Sequence, residues 1–139
     1  MENMNRKAES LGMAETRFTD PAGLGDGNVS TSKNLLELAR YIYEKRRFLF
    51  QITKGETYLA YGPGALKKLP NFNDFANHPD VIGAKIGETI AARETSVTLW
   101  SFRTPGGRVP IAVIVLGSEN QLEDQKTILE WLKENFEIF

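Results

Sequence analysis

The sequence predicts an α+β domain in which helices flank a small antiparallel sheet. Apolar residues recur at helical spacing in the first third of the chain and again near its end. Between them lie segments rich in β-branched and aromatic residues, and the last two are joined by the turn Pro105-Gly106-Gly107. Helices grouped on either side of a run of strands are typical of α+β folds. The 139 residues fit a single domain.

Composition excludes several classes of function. The chain is 41% hydrophobic and 25% charged, which is typical of a soluble globular domain. Its net charge of -1 predicts no strong attraction to nucleic acid or to an anionic membrane. Cys is absent and His78 is the single histidine, so we expect no disulfide, no metal site and no cofactor. No apolar run reaches the length of a membrane span, and residues 1–12 are too polar for a signal peptide.

The first third of the chain is predicted to be helical around one loop. A helix from Asn3 to Leu11 ends at Gly12, and a loop dense in turn-forming residues runs from Arg17 to Thr31. A second helix follows to about Lys45, and a short helix spans about Phe48 to Thr53. The basic cluster of residues 45–47 is interpreted as a solvated helix end.

The remaining elements are predicted strands and one helix. A weak strand is predicted from Glu56 to Tyr61, followed by the turn of residues 62–64. Strands at Val81 to Thr89, Thr95 to Arg103 and Arg108 to Leu116 form a meander. The last of these is apolar on both faces, so we expect it to be covered on both sides. A packing helix covers about residues 119–136, and His78 is interpreted as a loop histidine.

The segment Val81 to Thr89 is the strongest candidate for a site. Gly83 and Gly87 bracket Lys85 in this predicted strand. Glycine inside a strand often marks close approach by a ligand or another backbone, so the lysine is placed to meet an anionic group. The alternative is an edge strand with a solvated lysine.

Several blocks of the chain resemble the serine D-alanyl-D-alanine carboxypeptidases, the low-molecular-mass penicillin-binding proteins of peptidase family S11. The order and spacing of the blocks agree with that family over nearly the whole chain. The blocks are Met4 to Met13, Thr16 to Leu24, Ser30 to Ser32, Asn71 to Asn73, Gly83 to Thr89, Val109 to Gly117 and the last helix.

The resemblance implies a penicillin-binding-protein and β-lactamase-like α/β sandwich with three site motifs, S-x-x-K, S-x-N and K-T-G. Residues 1–139 would be one partial catalytic domain, its C-terminal portion, with a three-strand meander, N-terminal helices and a C-terminal packing helix. The third motif is matched by Lys85, Ile86 and Gly87, with Thr89 two positions on. These four residues would bind the substrate, with Lys85 facing its terminal carboxylate and Gly87 leaving room for its backbone. Ile86 departs from the pattern by removing a hydroxyl, and Glu88 adds a negative charge.

The chain is interpreted as lacking the S-x-x-K and S-x-N segments, so we expect no catalytic residue in it and no activity from it alone. One hypothesis is therefore a part of a carboxypeptidase that trims terminal D-Ala from peptidoglycan stem peptides outside the cytoplasm and that reacts with β-lactams. The alternative is a non-catalytic homologue that binds peptidoglycan peptide or a partner protein. Chance similarity of an unrelated α+β domain is a third. An exposed sheet edge also predicts homodimers.

Overall fold

A computed structural model describes residues 1–54 and 72–139 of the chain. The described elements are α1 (Glu2–Ser10), α2 (Ser32–Lys45), α3 (Phe48–Thr53), β1 (Val81–Thr89), β2 (Arg93–Thr104), β3 (Gly107–Ser118) and α4 (Gln121–Asn135). The predicted α+β class and each predicted helix are confirmed, with ends shifted by a residue or two. The predicted strand Glu56 to Tyr61 and the turn after it lie outside the described residues.

The helix boundaries follow from local side-chain chemistry. Thr31 caps α2 because its hydroxyl accepts the Asn34 backbone N–H at 3.2 Å. Asn120 caps α4 by accepting the Glu123 N–H at 3.1 Å. Gly12, just beyond α1, has φ +73°, a conformation that glycine adopts without steric penalty.

The three strands form an antiparallel sheet in the order β1-β2-β3. Lys85 pairs with Val97 across the first ladder, and Thr98 pairs with Val113 across the second. The backbone of Phe139 adds to β2 through two hydrogen bonds with Arg103, at 3.0 and 3.3 Å. The C-terminal residues therefore extend the sheet beyond the start of β1.

The main core lies between the sheet and α4, on what we call the α4 face. Its buried residues are Val81, Trp100, Phe102, Val113, Val115, Leu129 and Ile138. Trp100 stacks on Phe102 with ring centroids 5.7 Å apart, and Phe75 and His78 meet its ring edge-on. Each large side chain buried in this way contributes about 1.5–3 kcal/mol. His78 is thus a loop residue packed on the core, as the sequence indicates.

The opposite side of the sheet, the α2 face, packs against α2 and α3. The expectation that β3 is covered on both faces holds only in part. Val113 and Val115 are buried beneath α4, whereas Ile114 on the α2 face is half-buried and Leu116 is 42% exposed. Helix α2 therefore covers the middle of β3 but leaves its end open.

Candidate functional site

The outer edge of β1 offers unpaired backbone groups. The Ala84 N–H points away from β2, because it donates to the Thr53 hydroxyl of α3 at 3.1 Å. Backbone groups alternate in direction along a strand, so the N–H groups of Ile86 and Glu88 point to the same outer side. Among the described residues no strand pairs with this edge. An extended chain could therefore add to β1 here.

Side chains along this edge divide between the two faces of the sheet. Lys85, Gly87 and Thr89 share the α2 face, opposite Val97 and Thr95 of β2. Ile86 and Glu88 point to the α4 face, where both line a cavity of about 550 Å³. The negative charge of Glu88 consequently lies on the other side of the sheet from Lys85.

Lys85 lies at the edge itself. Its side chain is exposed, and its ammonium donates a hydrogen bond to the carbonyl oxygen of Ile86, one of the outward-facing backbone groups. Gly87 leaves room beside it, since a Cβ built there would have Thr95 Oγ1 at 3.5 Å as its nearest neighbour, an ordinary contact. The cation and the open backbone edge therefore occur together.

A cleft of about 710 Å³ lies beside the end of β1. One wall is formed by the strand end and the turn after it, including Gly87, Glu88 and Thr89. The other wall is the loop between α1 and α2, from Ala22 to Ser30. Leu24 of this loop is 80% exposed, so the cleft has an apolar side chain on its rim.

Two asparagines hold the loop in shape. The Asn5 side chain from α1 donates to the Phe18 carbonyl and accepts the Phe18 N–H, both at 2.8 Å. Asn28 accepts the Thr19 N–H at 2.8 Å and the Asp20 N–H at 3.0 Å, and it donates to the Asp20 carbonyl at 2.8 Å. Each amide therefore satisfies backbone groups as a neighbouring strand would.

Asp20 stabilises the same loop through hydrogen bonds to backbone N–H groups within it. Its carboxylate accepts the N–H groups of Ala22 at 2.9 Å and Gly25 at 3.0 Å, and also that of Leu24. These hydrogen bonds stabilise the charged form and hold the pKa of Asp20 below its ordinary value of 3.8. Two of the blocks that carry the family resemblance, Met4 to Met13 and Thr16 to Leu24, thus contain residues that hold this wall in place.

We expect the loop to loosen in acid because of Asp20. A carboxyl whose folded pKa is depressed adds stability above its unfolded pKa and loses it as pH falls through the folded value. Amide exchange at Leu24 and Gly25 should therefore be slow at neutral pH and accelerate below the ordinary value of 3.8, beyond the intrinsic effect of pH. In Asp20→Asn this extra acceleration should vanish. An unchanged acid profile in the variant would contradict the assignment.

The serine motifs require a correction. The chain was expected to contain no S-x-x-K, yet Ser30 to Lys33 fits those letters, and Ser32 to Asn34 fits S-x-N. The structure places all of these residues at the start of α2, where Ser30 Oγ hydrogen bonds to Thr16 Oγ1 at 2.8 Å rather than to an amine. A nucleophilic serine needs a base within reach, so this segment serves as a helix start.

The other match to S-x-N is also structural. Ser118 Oγ accepts the Asn120 N–H at 2.9 Å and contacts the Asp124 carboxylate, while Asn120 caps α4. These residues therefore begin the last helix. Neither this segment nor the start of α2 places a lysine amine against a serine hydroxyl, so the described residues assemble no Ser–Lys pair for acyl transfer.

The acidic cavity on the α4 face holds no metal-binding geometry. Asp74, Glu88, Glu94 and Glu119 line it. Glu94 accepts the Gln121 N–H at 2.7 Å, and Glu119 pairs with Arg93 at 3.2 Å. In residues 1–54 and 72–139 no cluster of His, Cys, Asp or Glu is arranged to hold an ion.

No helix in the same ranges is both long enough and apolar enough to cross a bilayer.

Comparison with known proteins identifies the family. The sequence model of the D-alanyl-D-alanine carboxypeptidases of peptidase family S11 matches residues 1–120. The chain belongs to this family. The expected relationship is thereby confirmed, and the reading as an unrelated domain with chance similarity is excluded.

Individual relatives agree with this. A D-alanyl-D-alanine endopeptidase of Haemophilus influenzae is 30% identical over 99 residues, covering 71% of this chain and 33% of the relative. One from Pseudomonas aeruginosa is 29% identical, covering 94% and 43%. The crystal structure of a penicillin-binding protein from Listeria monocytogenes with bound cefotaxime superposes with a TM-score of 0.72 at 27% identity, covering 93% and 53%. The fold is therefore penicillin-binding-protein-like, and the chain spans about a third to a half of these relatives.

Proposed function

We propose that this chain is the C-terminal part of a serine D-Ala-D-Ala carboxypeptidase catalytic domain and supplies its carboxylate-binding strand. The open outer edge of β1, with Lys85 beside it and the cleft next to its end, carries the proposal. The substrate class is a peptidoglycan stem peptide ending in D-Ala-D-Ala, and a β-lactam would occupy the same edge. The place of action is the cell envelope.

The chemistry of the edge suits such a peptide. An extended peptide adds to a free strand edge through main-chain hydrogen bonds, here with the outward backbone groups of Ile86 and Glu88. The ammonium of Lys85 would exchange its contact with the Ile86 carbonyl for a charge-assisted hydrogen bond to the peptide's terminal carboxylate. Gly87 would admit the peptide backbone, and Thr89 lies on the same face farther along the strand.

The acyl-transfer step belongs to another segment. A serine with its lysine base would attack the terminal peptide bond, form an ester to the acyl group and release D-Ala, after which water would release the shortened peptide. Those groups would come from the part of the family fold that this chain does not contain. This chain then binds and orients the substrate.

A second candidate is a peptide-binding homologue without catalysis. The substitution at Ile86 favours it, because the hydroxyl of the family motif is absent while the cation and glycine remain. Both candidates require that the β1 edge bind a peptide carboxylate, and they differ in whether a nucleophile joins the site.

Peptide binding to the edge is directly testable by NMR. Titration with N-acetyl-D-Ala-D-Ala should shift the amide signals of Ile86 and Glu88 with a dissociation constant on the order of 1 mM, as expected for one charge-assisted contact and a few backbone hydrogen bonds. The L-Ala-L-Ala peptide should bind more weakly, and Lys85→Gln should weaken the D-peptide. Shifts that spread elsewhere, or that survive in Lys85→Gln, would argue against this edge.

The outer edge of β3 predicts self-association. No strand among the described residues pairs with it, and Leu116 stays exposed beside it. Light scattering during size-exclusion chromatography should therefore show dimers. Leu116→Lys should shift the chain toward monomer, whereas Ile90→Lys in the fully exposed β1–β2 turn should not. A monomeric parent chain would contradict the proposal.

A further inference from the structure

Helix α3 and the residues before it form an exposed surface that the proposed function does not use. We call it the α3 patch and define it as Lys45, Arg46, Arg47, Phe48, Leu49 and Ile52. Phe48 is 51% exposed, Leu49 37% and Ile52 39%, while the three cations are exposed beside them. Large apolar side chains that remain together in solvent mark an interaction surface.

The fold explains which side of α3 faces outward. Phe50 is buried against β1, where the backbone at Gly83 approaches it so closely that a Cβ on Gly83 would lie 2.5 Å from Phe50 Cβ. At 100° per residue, Phe48 and Ile52 lie on the opposite side of the helix from Phe50, and Leu49 flanks them. Because Phe50 packs inward, Phe48 and Ile52 face solvent, while Leu49 lies between the two sides and also lines a cavity between α2 and β1.

The cations are oriented by neighbouring tyrosines. The Arg47 guanidinium lies 4.8 Å from the ring centroid of Tyr43. The Arg46 guanidinium lies 6.0 Å from the centroid of Tyr41, and Lys7 of α1 covers the same ring at 4.3 Å. These cation–π contacts hold the two guanidinium groups over tyrosines of α2, and in the sequence the two arginines come directly before the apolar residues of α3. Glu44 is the one acidic residue in the sequence from Tyr41 to Lys54.

A second exposed aromatic surface on α4 provides the contrast. Trp131 and Phe136 meet edge-to-face at 5.7 Å and are 53% and 55% exposed. The charged residues next to them in the sequence are Glu130, Lys133, Glu134 and Glu137, three carboxylates against one cation. The net charge of -1 is a sum over surfaces of opposite charge. The exposed apolar surface at α3 is basic, and the one at α4 is mostly acidic.

We propose that the α3 patch docks on an anionic lipid bilayer. Exposed apolar side chains enter the interfacial region of a membrane while nearby Lys and Arg contact anionic headgroups. The charge of the patch is complementary to such a surface, and its three apolar side chains give it a second source of binding that a soluble polyanion cannot use. The proposal differs from the expectation based on net charge, because net charge sums over the whole chain and not over one surface.

Vesicle co-sedimentation tests the docking. The purified 139-residue chain should bind vesicles of phosphatidylglycerol and phosphatidylcholine, and bind phosphatidylcholine vesicles far less. Arg46→Gln/Arg47→Gln should lower the partition coefficient about 25-fold, because each cation near an anionic surface is worth about fivefold. Phe48→Ser/Ile52→Ser should lower it about 10-fold or more by removing buried apolar area. Added salt should weaken binding.

Matched variants on α4 serve as controls. Lys126→Gln/Lys133→Gln changes the net charge by the same amount, and Trp131→Ser/Phe136→Ser removes a similarly exposed apolar pair; neither should reduce binding. Circular dichroism should show that all four variants are folded. No binding to anionic vesicles would overturn the proposal. So would equal losses in the α4 controls, or a loss with the arginine variant but none with the Phe48 and Ile52 variant, which would indicate a general polyanion surface.

Discussion

A fluorescent penicillin is expected to leave no covalent label on the 139-residue chain by itself. Acylation needs a serine and a base in contact, and Ser30, which fits the S-x-x-K letters with Lys33, hydrogen bonds to Thr16 instead. When the chain is fused behind the N-terminal half of a family enzyme that carries its own S-x-x-K and S-x-N segments, we expect the label to appear. The change from none to complete labelling is read by in-gel fluorescence.

Two variants make this result decisive. In the fused protein, Lys85→Gln should slow acylation about 10- to 100-fold, because a hydrogen bond to a charged group contributes about 1.5–3 kcal/mol. Lys126→Gln on α4 should have no effect. A label on the isolated chain that disappears in Ser30→Ala would instead make Ser30 the nucleophile and refute the proposed division of the site.

Gly83→Ala is expected to destabilise the fold by about 2–3 kcal/mol, the upper part of the range for overpacking. A Cβ at this position would lie 2.5 Å from Phe50 Cβ, 2.6 Å from Phe50 Cδ1 and 2.8 Å from Phe50 Cα. The last of these is a backbone atom, so a rotamer change cannot relieve the contact. Either β1 or α3 must move. Urea denaturation should show a lower midpoint with little change in slope.

Gly87→Ala is the matched control, four residues along the same strand. A Cβ there meets only Thr95 Oγ1 at 3.5 Å, so we expect a loss below about 1 kcal/mol. Gly83→Ala/Phe50→Ala should not restore the stability of the parent chain, because the contact with Phe50 Cα remains and a buried ring is lost. Equal stability losses in the two single glycine variants would show that close packing does not decide the effect.

Much of the fold could be predicted from the sequence because the governing interactions are local. The Phe48–Thr53 and Val81–Thr89 elements agree with the structure at both ends, and α2 begins beside the predicted Ser and Thr cap. The two glycines in β1 predict that a ligand or another part of the backbone comes close to the strand. The structure confirms such a close approach at Gly83. The approaching group there is α3 rather than a ligand, which the strand sequence alone does not distinguish.

The candidate site could be predicted less completely. The alternation of a strand and the match to the family motif place Lys85, Gly87 and Thr89 together. The wall opposite them was missed, although Asn5, Asp20 and Asn28 build it through hydrogen bonds that cross up to 13 residues. Asparagine and aspartate among turn-forming residues were the available signal, but their partners depend on how the loop folds.

By itself the sequence determined the family, the α+β class, the order of the elements and the position of the lysine between two glycines. Periodicity, caps and turns act over a few residues, so the linear order of residues is enough to specify them. Only the tertiary structure decided that Ser30 contacts Thr16, that the loop from Ala22 to Ser30 faces the end of β1, and that Phe48 and Ile52 remain exposed after the basic cluster. These depend on packing between segments distant in sequence, where the burial of one residue, such as Phe50, determines which neighbours face solvent.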